Sequence, residues 1–598
     1  MPDIKNAKRR TFLRASLSSA LFASAGWPPT LRTASAQSNP ARASFVPDLE
    51  VELRAKKDQL AIWPGSATHV WRYVGKVTSG DAGALVFLSD GYVPVLRVRS
   101  GQKVRVDFIN ELPEPTIIHW HGLLIPAAMD GHPRNAISPG QHFRYEFEVQ
   151  NRAGTYWFHA HPDGRTGAQI YFGQAGFLIV GDEEEAALKL PAGAYDVPLM
   201  IQDRKVNGDN QFAYLSQRAG GMMGRGGMMK SAMMGNGGMG GMGDVMAQMM
   251  GFLGDQILVN GRPDFVLPVE TRAYRLRLLN ASNARIYKLA WNDGSPLTVI
   301  GTDGGLLDAP LLGQYVTLAP AERIDVWVDF SHQPVGTQMT LESREFAGDV
   351  AMGGMMGNTE LRMGACFPVL NVRVTQHSDA TSVLPMHLAR VPAVRPHEAV
   401  NFSRPRAFGI TMGMMTWGID GRRFEMDGVT ASETVRRETT EIWEFRNEAS
   451  MMLMAHAMHV HGVQFRVLKR LVAAEFSSAR DSVAGGYVDE GWKDTVLVMP
   501  GERIRLLIRF GAYTGMFLYH CHMLEHEDSG LMRNYLIQAL ERDSRIGDNQ
   551  ARLRERETAS EMEGNHEIFS PQFYARHRRF GLVADLGAQR YSASRAGP

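Results

Sequence analysis

The chain contains little cysteine for its length, with only Cys366 and Cys521 among 598 residues. Two cysteines form at most one disulfide, so a disulfide-stapled scaffold is excluded and the fold must depend on hydrophobic cores. Long apolar runs are also missing, because none reaches the ~18 residues of a membrane-spanning helix. The net charge is only +1. Because the first 36 residues are basic, the remainder is mildly acidic and gives no argument for nucleic-acid binding.

Residues 1–36 have the features of a twin-arginine signal peptide. Residues 8–14 read KRRTFLR, a short apolar stretch follows over 15–27, and Ala34-Ser35-Ala36 offers an A-x-A cleavage site. A basic, disordered leader is the alternative. The twin-arginine route carries folded proteins, which suits a fold that holds a cofactor. We therefore expect a periplasmic or secreted protein. If Cys521 binds a metal, Cys366 has no disulfide partner and is expected to be a small buried apolar residue.

A short segment near the C-terminus concentrates metal ligands. Residues 519–527 read YHCHMLEHE. On an extended strand successive side chains point to opposite faces, so His520 and His522 would face one side and Cys521 the other. A thiolate with His526 supplies part of a blue-copper electron-transfer site, which needs two imidazoles and one thiolate. The pattern therefore predicts that one strand joins two metal centres.

Further pairs of the pattern His-x-His supply the partners that this hypothesis needs. They are His119 and His121, His159 and His161, and His459 and His461, the last preceded by His456. With the C-terminal segment, this set holds ten of the chain's 19 histidines. Such a concentration favours metal binding over a structural role.

An internal repeat indicates three copies of one unit. Pro139, Pro320 and Pro500 each precede a stretch of alternating apolar and polar residues, and they are 181 and 180 residues apart. An earlier marker recurs in each unit at Asn110, Asn280 and Asn447. Short alternating strands bounded by Gly, Pro and Asn turns predict that each copy is a β-sandwich or barrel.

The repeat places the ligand motifs in the first and third copies. Residues 154–159 (GTYWFH) match residues 515–520 (GMFLYH), whereas residues 336–343 of the middle copy (GTQMTLES) contain no histidine. A site built from both outer copies must lie at their interface, with the middle copy as a spacer.

The predicted domain boundaries follow from the repeat. They are 45–182, 183–385 with a Met/Gly-rich insertion at 219–251, and 386–542. The tail, 543–598, opens with a charged Arg/Glu-rich stretch and is expected to be a surface helix or disordered. Its role is not indicated by the sequence.

The histidine and cysteine motifs resemble the four copper motifs of the multicopper oxidases, a family that includes laccases and bacterial copper-tolerance oxidases. They are HWHG at 119–122, WFHAH at 157–161, HAMHVHG at 456–462 and the run at 520–526. All four appear in the family's order, and the resemblance covers roughly residues 45–540. It implies an all-β fold of three tandem cupredoxin-like domains.

The resemblance also implies four copper ions and their ligands. The type 1 copper would be held by His456, Cys521 and His526, and the type 2 copper by His119 and His459. The two type 3 coppers would be held by His121, His159 and His522, and by His161, His461 and His520. Two acidic residues match family positions near these coppers, where carboxylates relay protons: Glu527 and Asp130.

The axial position of the type 1 site departs from many bacterial members of the family. Those members have methionine ten residues after the cysteine, whereas this chain has Leu531 there and Met532 next. Leucine cannot coordinate copper, so the site would be three-coordinate unless Met532 turns in.

Methionine is concentrated in residues 219–251, which hold 11 of the chain's 33 methionines among many glycines. So much glycine predicts a mobile loop or lid rather than a packed core. Thioether sulfur is a soft ligand that prefers Cu(I), and the candidate ligands are Met222, Met223, Met228, Met229, Met233 and Met234. Flexible filler or an adaptable apolar surface is the alternative.

The expected function is oxidation of Cu(I), a phenol or both in one-electron steps, coupled to four-electron reduction of dioxygen to water, with a role in copper tolerance. The first alternative is a copper-sequestering periplasmic protein in which the Met-rich segment is the functional part. The second is a noncatalytic relative that keeps the fold as an interaction module. The complete set of ligands favours the oxidase. The electron donor and the oligomeric state stay open.

Overall fold

Six β-sheets form the framework, and they fall into three pairs that follow one another along the chain. The computed structural model describes residues 45–215, 240–347, 361–380, 382–391, 393, 395–413, 416–448 and 453–539. The described sheet pairs lie in one compact unit that ends at Gln538. This architecture confirms the predicted all-β fold.

The first sheet pair spans residues 49–181. Its strands are β1 (Leu49–Leu60), β2 (Thr68–Ser79), β3 (Leu85–Leu88), β4 (Val93–Arg99), β5 (Lys103–Asn110), β6 (Ile118–His121), β7 (His142–Glu148), β8 (Gly154–Ala160) and β9 (Ala175–Gly181). One sheet has the order β2-β1-β5-β7 and the other β3-β4-β9-β8-β6.

The second pair spans residues 196–376. Its strands are β10 (Asp196–Arg204), β11 (Gln256–Val259), β12 (Arg262–Pro263), β13 (Val266–Glu270), β14 (Ala273–Asn280), β15 (Tyr287–Trp291), β16 (Leu297–Thr302), β17 (Gly305–Gly313), β18 (Val316–Leu318), β19 (Arg323–Asp329), β20 (Gln338–Ser343) and β21 (Phe367–Gln376). The sheet orders are β12-β11-β10-β14-β19-β16-β17 and β13-β21-β20-β15-β18.

The third pair spans residues 406–538. Its strands are β22 (Arg406–Gly413), β23 (Thr416–Ile419), β24 (Thr434–Arg436), β25 (Thr440–Arg446), β26 (His456–Val460), β27 (Phe465–Val472), β28 (Thr495–Val498), β29 (Glu502–Arg509), β30 (Gly515–Cys521) and β31 (Met532–Gln538). The sheet orders are β23-β22-β25-β29-β27 and β24-β31-β30-β26-β28. Each predicted domain range thus contains one sheet pair, while the boundaries themselves stay a prediction.

Short helices connect the strands. They are α1 (Thr166–Phe172), α2 (Glu183–Ala187), α3 (Gly240–Met250), α4 (Ser477–Ala484) and α5 (Leu524–Asp528). Among the described residues, no helix is long and apolar enough to cross a bilayer.

Alternating strands explain why each sheet pair buries its own core. In β1, Leu49, Val51, Leu53 and Ala55 are buried while the intervening residues are partly exposed. This period of two places every second side chain between the two sheets. Each of the three pairs encloses an apolar cluster to which both of its sheets contribute.

The asparagine markers of the repeat have the same structural role in all three copies. Asn110, Asn280 and Asn447 are fully buried. Each side-chain amide donates to the carbonyl oxygen two residues before the repeat proline, at Ile137, Leu318 and Val498. A buried amide that ties a strand end to the next turn satisfies backbone carbonyls that would otherwise be orphaned.

Two predictions about local structure were wrong. Residues 240–250 form the helix α3 rather than a loop, because methionine is a good helix former and Met249 packs into the core of the third sheet pair. Cys366 is exposed rather than buried, because it lies immediately before β21, whose inward-facing residues begin at Phe367.

Several predicted features lie outside the described residues. These are the signal peptide at 1–36, the candidate Cu(I) ligands from Met222 to Met234, and the tail at 543–598.

Candidate metal centres

Strand pairing in the outer sheet pairs brings the histidine pairs together. In the first pair, β6 and β8 run antiparallel with His119 opposite His159. In the third pair, β26 and β30 run antiparallel with His459 opposite His520 and Met458 opposite Cys521. Directly opposed residues project from the same face of a sheet. Each outer pair therefore gathers the opposed histidines of its His-x-His pairs on one face.

The two groups of histidines meet in one buried cluster. The closest Nε2–Nε2 contacts between them are 3.4 Å, for His119 with His459, His161 with His520, and His159 with His522. All eight histidines of the four His-x-His pairs are buried. The structure thus brings together ligands that are up to 403 positions apart, from His119 to His522.

Backbone carbonyls determine which nitrogen of these rings is free. His119 Nδ1 donates to the Asp130 carbonyl oxygen at 2.6 Å, and His459 Nδ1 donates to the Asp494 carbonyl oxygen at 2.8 Å. Burial lowers the pKa of both imidazoles, that of His459 to about 3. Each neutral ring therefore has its proton on Nδ1, and the two bare Nε2 lone pairs converge. Such converging lone pairs in a buried site fit a bound metal cation.

A second group of histidines consists of His161, His461 and His520, and its Nε2 atoms also converge. His520 Nδ1 lies 3.1 Å from a backbone carbonyl oxygen, and its Nε2 lies 3.0 Å from His461 Nε2. Ligand nitrogens of His161, His461 and His520 all lie within 4.8 Å of one another. The same is true of His119, His459 and His461, so spacing alone does not divide the cluster into separate sites.

A third group consists of His121, His159 and His522. His121 Nδ1 lies 3.4 Å from His159 Nε2, while the His522 ring centroid lies 5.1 Å from each of the other two ring centroids. His159 Nδ1 donates to the Ala160 carbonyl at 3.0 Å, which leaves Nε2 bare. His159 Nε2 also lies 3.4 Å from His522 Nε2, so His159 Nε2 lies close to a nitrogen of each of the other two rings.

Cys521 lies on the other side of β30, beside His456 and His526. Its Sγ is 3.6 Å from His456 Nδ1 and 3.7 Å from His526 Nδ1. All three side chains are fully buried. Burial raises the pKa of the thiol to about 12, so a bound cation is needed to hold it as a thiolate. The donor set is that of a blue-copper centre.

The two predicted acidic residues both touch the histidine cluster. Asp130 Oδ2 lies 2.7 Å from His461 Nδ1, and Glu527 Oε2 lies 3.1 Å from His520 Nδ1. Burial raises the pKa of Asp130 well above its usual range. Burial also opposes ionisation of Glu527, but His520 and His161 outweigh it and lower its pKa to about 2.

Glu527 also lines a cavity of about 230 Å³, whose other lining residues include Asp163, Asp528 and Arg423. Burial and the neighbouring Glu527 raise the pKa values of Asp528 and Asp163.

Asp494 and Arg323 were missed by the sequence reasoning. Asp494 Oδ1 accepts from His121 Nε2 at 2.9 Å and from Arg323 Nη1 at 2.8 Å. Burial opposes ionisation of Asp494, but the guanidinium outweighs it and lowers its pKa. Arg323 belongs to the middle sheet pair, which is therefore more than a spacer. Arg323 and Asp494 are 171 residues apart in the sequence, so no local sequence pattern predicts that they pair.

Met532 does not share the face of Cys521, whereas Leu531 lies near Cys521 in the apolar core. Met532 lies directly opposite His520 in the ladder between β30 and β31, so it shares the face of His520 rather than that of Cys521. Leu531 packs in the same apolar cluster as Cys521 and Met458.

Comparison with known proteins agrees with this geometry. Two multicopper oxidase family models match residues 80–185 and 399–541. The chain is 32% identical over 483 residues to the laccase of Bacillus subtilis (strain 168), covering 74% of this chain and 87% of that protein. The crystal structure of the McoA multicopper oxidase from Aquifex aeolicus superposes with a TM-score of 0.66 at 32% identity, covering 83% of this chain and 97% of the other.

The chain therefore belongs to the multicopper oxidase family. It is a copper-dependent oxidoreductase with dioxygen as acceptor, its cofactor is copper, and its three tandem domains are cupredoxin-like. It is also 29% identical over 543 residues to the cell division protein FtsP of Escherichia coli, covering 88% of this chain and 98% of that protein.

Proposed function

We propose that this enzyme couples the one-electron oxidation of a small donor to the four-electron reduction of dioxygen to water. The observation that carries the proposal is the strand β30, on which Cys521 lies between His520 and His522. Its thiol faces the two histidines His456 and His526, and its neighbours face the histidine cluster. Consecutive residues thus give a covalent path between an electron-accepting site and a dioxygen site.

The ligand assignment is part of the proposal. The type 1 site consists of His456, Cys521 and His526, and the type 2 site of His119 and His459. The type 3 sites consist of His121, His159 and His522, and of His161, His461 and His520. Copper bound at these sites supplies the one-electron redox chemistry and the binding of dioxygen.

Two carboxylates have the positions needed to deliver protons. Glu527 is 3.1 Å from His520 Nδ1 and lines the cavity that also contains Asp163 and Asp528, so its carboxylate can exchange protons between cavity and cluster. Asp130 holds His461 by its carboxylate and His119 by its backbone carbonyl. It therefore orients two rings and accepts or releases a proton at Oδ2.

The donor is proposed to be Cu(I), a phenol or both, and the cellular role to be copper tolerance after twin-arginine export to the periplasm. The laccase relative favours a phenol, while the thioethers of residues 219–251 favour Cu(I). Met222, Met223, Met228, Met229, Met233 and Met234 remain the candidate Cu(I) ligands.

The alternatives predict different behaviour. The likeness to a cell division protein, FtsP, keeps a role other than oxidation as an alternative, but a noncatalytic interaction module does not need a complete set of copper ligands. A copper-sequestering protein does not need ligands that converge across two domains. An oxidase requires both the complete set of copper ligands and their convergence across two domains.

Oxygen uptake by the copper-loaded protein separates these possibilities. We expect four equivalents of a phenol or of Cu(I) to be oxidised for each dioxygen consumed, without accumulation of hydrogen peroxide. A protein that binds copper but consumes no oxygen with either donor is a sequestering protein, and one that binds no copper is an interaction module. Comparing the rates with Cu(I) and with a phenol identifies the preferred donor.

A further inference from the structure

Two residues that flank the Met-rich segment, one on each side, donate hydrogen bonds to the same carboxylate. Tyr214 precedes residues 216–239, and its hydroxyl donates to Glu525 Oε1 at 2.7 Å. Phe252 follows α3, and its backbone N–H donates to Glu525 Oε2 at 3.0 Å. The rings of Tyr214 and Phe252 also pack, with centroids 5.0 Å apart. We call Tyr214 and residues 240–252 the stem.

Glu525 can hold this stem only as a carboxyl that accepts hydrogen bonds. It is 1% exposed, and Asn283 Nδ2 donates a third hydrogen bond to Oε1 at 2.8 Å. Both oxygens thus accept from donors that are fixed by the fold. An amide in this position would place its own N–H groups against one of these donors, whichever way it turned.

The stem also contacts a proposed copper ligand. The Met249 carbonyl oxygen accepts from His526 Nε2 at 3.0 Å and from Trp417 Nε1 at 3.1 Å. Met249 lies in the last turn of α3, where carbonyl groups have no partner within the helix. Because a carbonyl cannot donate, the proton of His526 is on Nε2, and the Nδ1 lone pair faces Cys521.

The other histidine of this site has no such support. Among the described residues, His456 Nε2 has no hydrogen-bond partner. Trp417 packs against both rings, with centroid distances of 4.7 Å to His456 and 4.8 Å to His526. The hydrogen bond to the stem is therefore the contact that distinguishes His526 from His456. A hydrogen bond from the second ring nitrogen to a carbonyl makes a ligand imidazole a stronger donor and fixes its direction.

We propose that the stem is a positioning element of the type 1 site, with Glu525 as the positioning residue that holds the Met249 carbonyl against His526. The inference rests on the proposed function, because it takes His456, Cys521 and His526 as copper ligands. A loosened stem would weaken the hydrogen bond to His526 Nε2. The imidazole would then be a poorer donor to Cu(II), and the type 1 potential would rise.

The test uses two variants and a matched control. Glu525→Gln and Tyr214→Phe both weaken the contact between Glu525 and the stem. Tyr214→Phe removes only the tyrosine hydroxyl that donates to Glu525 Oε1. Tyr195→Phe removes a tyrosine–carboxylate hydrogen bond of the same kind, to Glu270 Oε2 at 3.3 Å, away from the stem. Hydrogen exchange of the amides of residues 240–252 is measured on copper-free protein, and the type 1 potential and blue absorption on copper-loaded protein.

We expect exchange at 240–252 to accelerate about tenfold in both stem variants and the type 1 potential to rise. Loss of a hydrogen-bond partner behind a metal ligand costs about 10–100-fold in affinity. A tenfold change in the ratio of oxidised to reduced copper corresponds to about 59 mV for one electron. Tyr195→Phe should change neither quantity.

Two results would overturn the inference. One is faster exchange with an unchanged potential and blue absorption, and the other is unchanged exchange in both stem variants. If Glu525→Gln does not fold, Tyr214→Phe supports both measurements. A wild-type protein without blue absorption would contradict the proposed function instead, and the exchange data on copper-free protein would still decide whether Glu525 holds the stem.

Discussion

At the scale of single residues, hydrogen bonds to backbone carbonyls decide which ring nitrogen faces a metal. His119 and His459 donate through Nδ1 and present Nε2 to the cluster. His526 donates through Nε2 and presents Nδ1 to Cys521. The motif spacing identifies these histidines as ligands, but it cannot reveal the ring nitrogen, because the carbonyl partners are distant in sequence.

Leu531 provides a test of the axial position. Leu531→Met places a thioether on the face of Cys521, and an axial sulfur ligand lowers the type 1 potential. The exchange is close to volume-conserving, so it should cost less than about 1.5 kcal/mol of stability. We expect a fall on the order of 59 mV, a tenfold change in the redox ratio, in a redox titration monitored by the blue absorption. An unchanged or higher potential would show that another group already occupies the axial position.

Glu527 provides a test of proton delivery. Glu527→Gln keeps the size of the side chain but removes its ability to carry a proton, and general acid–base groups contribute about 10²–10⁴-fold to rate. Oxygen uptake should fall by at least about a hundredfold, while reduction of the type 1 copper by the donor, followed by stopped-flow absorption, keeps its rate. Glu183→Gln on the exposed face of α2 is the control. Equal rates of oxygen uptake in both variants would remove Glu527 from the mechanism.

At the scale of elements, period-two patterns were predictable and connections between elements were not. The alternation of His520, Cys521 and His522 follows from strand geometry alone, as do the buried residues of β1. The helix α3 was not predictable, because its glycine content argues against a helix and its stability comes from Met249 packing in another domain's core. The local amino-acid composition cannot predict such a tertiary contact.

The Met-rich insertion can be tested without disturbing α3. Deletion of residues 219–239 removes seven methionines, including all six candidate Cu(I) ligands, but keeps the Met249 carbonyl at His526. We expect the blue absorption to remain, Cu(I) oxidation to fall, and phenol oxidation to be equal or higher, as measured by oxygen uptake with each donor. If the ratio of the two rates does not change, the segment does not select the substrate.

At the scale of the whole molecule, the middle domain supports the site through buried charges. Arg323 pairs with Asp494 of the third domain, which accepts from His121 of the first. Lys493 lies beside this pair and contacts Glu322 at 3.1 Å. The repeat predicted an interface between the outer domains. It could not predict the contribution of the middle domain, because a single arginine forms no motif.

Removal of the Arg323 guanidinium should therefore lower the stability of the fold. Arg323→Met leaves Asp494 buried without its cationic partner, and breaking one side of a buried pair costs about 3–5 kcal/mol. Arg144→Met breaks an exposed pair with Asp107, for which a cost of about 0–1 kcal/mol is typical. Thermal unfolding of copper-free protein measures both. Equal melting temperatures for the two variants would contradict a supporting role for Arg323.

The central claim is that one strand, β30, carries both the electron-accepting thiolate and two ligands of the dioxygen site. The most direct measurement is the absorption spectrum and oxygen uptake of Cys521→Ser after copper loading. The account predicts loss of the blue absorption and of uptake with every donor, while the copper held by the histidine cluster and the fold remain. A Cys521→Ser protein that is still blue and still consumes oxygen would contradict it.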